Sequence, residues 1–359
     1  MSLITKLVRP EILAQATYYV PDATNMVKLD AMENPYGLPD AIKSQFAAHL
    51  ADVALNRYPV PTYLALRQTI CQNFGVPAGY GVLLGNGSDE LITMLCVACA
   101  KPEAVVVAPV PSFVMYASSA QFAGLQFAGV PLRSDLTLDL AAMLAAIRHH
   151  QPALLFLANP NNPTGSWFAE SDLIEITRAM ADIGLVVIDE AYQPFAPGSM
   201  MARLPDFPNL VVMRTVSKLG LAGLRLGYMS AATEVLDEIE KVRPPYNINV
   251  LTAAAAQFLL NHLPVFDAQA SLIRSARSAL SATLSALPTV HVFPSEANFV
   301  LIRVPNSELI FDKLRERKIL VKNVGKMHSL LKDCLRVTVS TPEENQLFVD
   351  ALKNALEHV

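Results

Sequence analysis

Five short runs constrain this chain more than any other feature. Val82-Leu83-Leu84, Ala104-Val105-Val106-Val107, Leu154-Leu155-Phe156-Leu157, Leu185-Val186-Val187-Ile188 and Leu210-Val211-Val212-Met213 are apolar almost throughout. An antiparallel strand with one wet face alternates apolar and polar residues, whereas continuous apolarity suits strands covered on both faces. The spacers, such as residues 169–183, are long enough for crossover helices, which predicts βαβ units and a largely parallel sheet. In such sheets the chemistry gathers beyond the carboxyl ends of the strands. The segments there are Gly85-Asn86-Gly87-Ser88-Asp89-Glu90, Pro109-Val110-Pro111-Ser112-Phe113, residues 159–165, Asp189-Glu190-Ala191-Tyr192 and Arg214-Thr215-Val216-Ser217-Lys218. One rim therefore holds most of the polar groups.

The opening stretch, broken by Pro10 and Pro21, reads as an arm that needs something else to pack on. After Pro244-Pro245 a long helical stretch runs to about Leu287, followed by strand signals at 299–304 and 335–339 and helices at 307–318 and near 342–357. The expected organisation is an N-terminal arm (1–31), a large α/β domain with a mostly parallel sheet flanked by helices (32–245), and a smaller α+β C-terminal domain (246–359).

Composition narrows the function. The 359 residues carry a net charge of −4, with no basic field for a phosphate polymer, which argues against nucleic acid as main partner. A mean hydropathy of +0.33 hints at a membrane protein. The longest apolar runs end early, however: Leu91 to Ala100 stops at Lys101-Pro102, well short of the ~18–20 residues that span a bilayer. The first residues lack a secretory pattern, so the expectation is a cytoplasmic protein. Cys96 and Cys99 form a C-x-x-C inside an apolar helical run without further ligands, which reads as packing rather than a metal site. The seven histidines form no metal-like cluster, and only His328 falls near a candidate site residue.

Taken singly, the rim segments leave choices open. Gly85–Glu90 is either an anion-binding turn at a helix start or a plain strand-to-helix turn, and it lacks the third glycine of a dinucleotide fingerprint. Asp189 is a buried carboxylate in need of a cation or proton donor, a helix cap, or a metal ligand of a nucleotide site whose phosphate loop is missing. Lys218 follows a buried strand, where desolvation favours the neutral, nucleophilic amine; exposed lysines are nevertheless commoner. Together, an anion cup with Thr215, Ser217 and Arg225, a carboxylate, a lysine and an aromatic at Phe113 form the set that pyridoxal 5′-phosphate requires.

These residues resemble the fold-type I pyridoxal-phosphate aminotransferases, and Glu33-Asn34-Pro35-Tyr36 with Arg57-Tyr58-Pro59 resembles the histidinol-phosphate aminotransferase branch. Asn162-Pro163-Thr164-Gly165, Asp189-Glu190-Ala191-Tyr192, Ser217-Lys218 and Leu221–Gly227 occur in the family's order. The resemblance implies that Lys218 is the Schiff-base lysine and proton carrier, that Asp189 pairs with the ring nitrogen, and that Asn162 and Tyr192 bond the ring hydroxyl. It also implies that Phe113 stacks on the ring. Ser88, Asp89, Thr215, Ser217 and Arg225 would bind the phosphate, joined by Tyr58 of a neighbouring subunit, which makes an obligate homodimer.

Arg336, with Lys322 where relatives often carry Arg, would meet the substrate's anionic group, and Tyr18 and Tyr19 of the arm would close over it or simply anchor the arm. Phe113 stands where Tyr is common, and Arg225 lies one position closer to Lys218 than in many relatives. The implied reaction moves an amino group between L-histidinol phosphate and 2-oxoglutarate, giving imidazole acetol phosphate and L-glutamate, in histidine biosynthesis. Aromatic amino-acid transamination, threonine-phosphate decarboxylation and a ligand-sensing regulator are the alternatives; the last needs a DNA-binding module for which the short arm leaves no room.

Overall fold

The computed structural model describes residues 2–17 and 20–357. The chain enters through a three-residue strand, β1 (Val27–Leu29), and then lays down β2 (Gly81–Asn86), β3 (Val105–Val110), β4 (Gln126–Pro131), β5 (Leu154–Ala158), β6 (Leu185–Asp189), β7 (Leu210–Thr215) and β8 (Leu226–Ala231). Later come β9 (His291–Val292), β10 (Phe299–Arg303), β11 (Ile319–Asn323) and β12 (Cys334–Thr338).

Seven strands form the larger sheet in the order β2-β8-β7-β6-β5-β3-β4. All are mutually parallel except β8, which pairs antiparallel with both β2 and β7. The five apolar runs became β2, β3, β5, β6 and β7. Their continuous apolarity has the expected cause: Val107, Leu155, Val186 and Val212 face one core, and Val106, Leu154, Val187 and Val211 face the other. Each such fully buried side chain contributes roughly 1.5–3 kcal/mol.

Register then places the rim. Ala158 lies opposite Asp189, and Asp189 opposite Met213, so the ends of β5, β6 and β7 come out level. Because β8 runs the other way, its first residues Leu226 and Gly227 lie at this same rim, facing Asn86 and Thr215. Arg225, just before β8, is delivered to the edge where the other strands end.

The second sheet has the order β1-β11-β12-β10-β9. β1 pairs parallel with β11, so the segment expected to need a packing partner finds it in the C-terminal part of the chain. Helices Ser307–Glu316 and Pro342–Leu356 cover this sheet through Ile310, Leu314, Phe348 and Leu352. The 23-residue helix Leu263–Ser285 joins the two bodies: Phe266 packs in the core of the large sheet, and Ile273, Leu280 and Leu284 in that of the small one. Helix Val250–Leu259 also packs on the large sheet, through Ala256 and Leu259. Cys96 is buried inside helix Ser88–Ala98, where burial pushes its thiol up to about 12. Among the described residues no helix is long and apolar enough to cross a membrane.

Candidate active site

A cavity of about 430 Å³ opens on the rim, and every cofactor position expected from the sequence lines it except Tyr58. One end is an anion cup. Gly87, at φ 80°, turns the chain from β2 into helix Ser88–Ala98, whose first N–H groups have no partner within the helix. A Cβ on Gly87 would lie 2.6 Å from an Arg225 guanidinium nitrogen, and one on Gly227 2.7 Å from the Ser88 nitrogen, so glycine at both positions lets these donors close in. Thr215 donates its hydroxyl to Ser217 Oγ at 2.8 Å and accepts the Ser217 N–H at 3.2 Å. The connection from Lys218 to Arg225 is a tight turn. Gly220 sits at φ 134° and Arg225 itself is left-handed at φ 51°, a conformation uncommon outside glycine. Its guanidinium lies 3.6 Å from Asp89 Oδ2, with both groups half-exposed toward the cup.

Asp189 ends β6 at the cavity floor and is 4% exposed. Its Oδ2 accepts from the Tyr116 hydroxyl at 2.7 Å and its Oδ1 from the Ala191 N–H at 3.1 Å. Burial pushes this carboxyl up to about 6, against the pull of those two hydrogen bonds. The adjacent Glu190 points the opposite way, into a buried ion pair with Arg214 at 2.8 Å. Of the two neighbouring acids, only Asp189 lines the cavity.

Lys218 Nζ donates to the Ala31 carbonyl at 2.9 Å. Burial first, then the charge of Arg336, pulls its ammonium down to about 8. The strap carrying Ala31 is fixed from the small sheet: Met32 N–H donates to Thr338 Oγ1 at 3.0 Å, and Asn298 Nδ2 donates to the Met32 carbonyl at 2.9 Å. The Glu-Asn-Pro-Tyr motif has a matching structural task. Asn34 donates to the Leu219 carbonyl and to Gln269 Oε1, which ties the strap to the turn after Lys218.

A second cavity, about 700 Å³, shares Ala31, Met32, Phe113, Asn162 and Lys218 with the first and adds Lys322 and Arg336. Those two cations face each other across the β11–β12 pair. Arg336 donates to Asn162 Oδ1 and to the Asp30 carbonyl, both at 2.6 Å, and lies 5.5 Å from the Phe299 ring centre. Tyr192 meets the same Phe299 edge-on at 5.2 Å. Asn161 instead braces the loop, bonding Ser112, Pro111 and Thr164, which leaves Asn162 to the cavity.

Tyr58 is 79% exposed and stacks on Tyr246 at 4.7 Å, away from both cavities. His328 lines neither; its Nδ1 accepts the Leu330 N–H as a helix cap. Tyr18 and Tyr19 lie outside the described residues. Sequence reasoning missed Tyr116, Ala31 and Asn298. Two of these act through long-range contacts and one through its backbone; only the i, i+3 spacing of Phe113 and Tyr116 left a trace.

Comparison with known proteins agrees with this geometry. The family described as "Aminotransferase class I and II" matches residues 24–352. Histidinol-phosphate aminotransferase 2 of Cupriavidus pinatubonensis is 58% identical, covering 99% of this chain and 98% of its own. Histidinol-phosphate aminotransferase 1 of Ralstonia nicotianae is 57% identical, covering 99% and 96%. The structure of histidinol-phosphate aminotransferase from Sinorhizobium meliloti in complex with pyridoxal-5′-phosphate superimposes with a TM-score of 0.87 at 24% identity over 98% of both chains, which shows the shared fold. The chain therefore belongs to the class I and II aminotransferases, and within them to the histidinol-phosphate aminotransferase family.

The donor set fits pyridoxal phosphate. The cup supplies N–H groups, two hydroxyls and a guanidinium for a phosphate, Asp189 supplies a buried carboxylate for a ring nitrogen, and Lys218 supplies an amine in the same cavity.

Proposed function

We propose that this protein is a homodimeric, pyridoxal-phosphate-dependent enzyme that moves an amino group between L-histidinol phosphate and 2-oxoglutarate. The observation that carries this reading is the second cavity: Arg336 and Lys322 stand side by side in a space that opens onto Lys218. Two half-reactions share one pocket, so one cationic pair has to accept a phosphate in the first and a carboxylate in the second. Arg336 provides a planar fork for either anion, and Lys322 adds a point charge.

When bound, the cofactor supplies an electron sink for the donor's α-carbon and carries the amino group between half-reactions. The protein's own groups do the rest. With its ammonium pulled down to about 8, Lys218 has an amine within reach of neutrality. It takes the proton from the donor's α-carbon and returns one after transfer. Asp189, ionised at neutral pH, would hold the positive charge of the ring nitrogen. Asn162 and Tyr192 would hold the ring hydroxyl, and Phe113 would pack against the ring. Ser88, Asp89, Thr215, Ser217 and Arg225 would hold the phosphate.

Exposed apolar side chains support the dimer. Leu55, Tyr58, Val60 and Leu64 are each more than 60% exposed within ten residues, a patch that a second copy would cover. Tyr58 then completes the partner's phosphate cup. Mixing inactive Tyr58→Ala and Lys218→Ala proteins tests this: shared sites restore activity on subunit exchange, and no recovery refutes the shared cup. The substrate assignment is tested by ranking kcat/KM for histidinol phosphate against phenylalanine and phosphothreonine. A preference for phenylalanine, or release of carbon dioxide, overturns it.

A further inference from the structure

The carboxylate at the cavity floor has a second residue behind it. We propose that Tyr116 is the positioning residue for Asp189: its phenol fixes the carboxylate's orientation, keeps it ionised, and thereby sets how firmly it serves the cofactor's ring nitrogen. This rests on the reading of Asp189 given above.

Among the described residues each carboxylate oxygen of Asp189 has a protein donor, the Tyr116 hydroxyl at 2.7 Å on Oδ2 and the Ala191 N–H at 3.1 Å on Oδ1. Two donors on two oxygens fix the plane of the group. Tyr116 is 0% and Asp189 4% exposed, so bulk water does not substitute for the phenol. The phenol ring is itself held. It stacks on Phe156 at 4.7 Å and 9°, and Phe113 meets it edge-on at 5.6 Å and 86°. Burial and the charge of Asp189 both raise the phenol's proton affinity, so Tyr116 stays a donor throughout the working pH range.

Phe113 lines the cavity, and Tyr116 follows it by three residues at the start of helix Met115–Ala123. One turn after β3 thus carries the aromatic that faces the cofactor and the phenol that backs its carboxylate. A hydrogen bond to the ionised carboxylate lowers its proton affinity, by about one pH unit for a strong donor. Without it, the proton shared with the ring nitrogen shifts toward Asp189, and the ring loses positive charge. The nitrogen of Lys218, which lines the same cavity, would then hold its own proton more tightly.

The test is Tyr116→Phe in the holoenzyme, which keeps the ring between Phe156 and Phe113. The readouts are the pH midpoint of the bound cofactor's visible band together with kcat and KM. The midpoint is expected to rise by about half a unit or more, and kcat to fall about tenfold, the equivalent of one unit. KM for the donor stays within about twofold because no substrate contact is lost. In an Asp189→Asn background the same substitution moves neither quantity, since the phenol acts through Asp189. An unmoved midpoint with unchanged kcat overturns the proposal, as does an equal loss in the Asp189→Asn background. If Asp189→Asn alone leaves the band and kcat intact, the underlying reading of Asp189 falls and the proposal with it. Should Tyr116→Phe fail to fold, 3-fluorotyrosine at position 116 keeps the shape and strengthens the donor. The midpoint then moves down, and a midpoint that does not move overturns the proposal.

Discussion

Replacing Lys218 by Met in the apoprotein changes stability in a way that depends on pH. The ammonium is pulled from 10.5 to about 8, by burial first and by Arg336 second. At about 1.36 kcal/mol per unit, holding this charge at neutral pH costs the fold at most roughly 3 kcal/mol. The folded pKa lies below the unfolded one, so between about pH 8 and 10.5 the unfolded chain binds more protons and wild-type stability rises with pH. Methionine keeps most of the side chain's volume and removes the charge. It also leaves the Ala31 carbonyl without its 2.9 Å donor, at a cost of about 1 kcal/mol. The variant should therefore be more stable than wild type by about 2 kcal/mol at pH 7 and lose that lead progressively as pH rises from about 8 to 10.5. Urea unfolding of both apoproteins across this range measures the gap. A gap that stays constant from pH 7 to 10.5 refutes the idea that the fold holds Lys218 as a strained cation.

Other substitutions separate the parts of the site. Asp189→Asn should leave the fold and some cofactor binding in place while lowering kcat by about 10²-fold or more in steady-state assays. Arg336→Ala should raise KM for both histidinol phosphate and 2-oxoglutarate by about 10–100-fold, the loss expected for a charged hydrogen-bonding group, whereas an effect on one substrate alone refutes a shared anion site. Gly87→Ala places a methyl where an Arg225 nitrogen sits, at a φ of 80° that alanine resists. Titration of the apoprotein with pyridoxal phosphate should show affinity weakened by about tenfold or more.

Much of the site was legible because chemistry follows strand ends. Asp189, Thr215 and Lys218 stand at or just after apolar runs that became β6 and β7, so position along the chain already assigned them to one rim. The strands that escaped notice explain the remainder. β4 begins with Gln126, contains Gly129 and ends in Pro131, and β8 contains Gly227 and Ser230 and is masked by the glycine-rich turn before it. Their strand character comes from neighbours already in the sheet, not from local pattern. β1 is three residues long and exists only because β11 lies beside it. Beyond its i, i+3 spacing from Phe113, Tyr116 carries no local mark of its role, because the bond to Asp189 joins residues 73 apart in the chain. The Asp-Glu pair at the end of β6 was ambiguous for a related reason. Two adjacent acids at a strand end point to opposite faces, and only the fold reveals that Arg214 waits for Glu190 while the cavity waits for Asp189.

The most direct test of the central claim is a single half-reaction. Holoenzyme mixed with excess L-histidinol phosphate, in the absence of an acceptor, should lose its visible cofactor band and release one equivalent of imidazole acetol phosphate per site. Added 2-oxoglutarate should then restore the band and yield one equivalent of glutamate. A band unchanged at saturating histidinol phosphate contradicts the account.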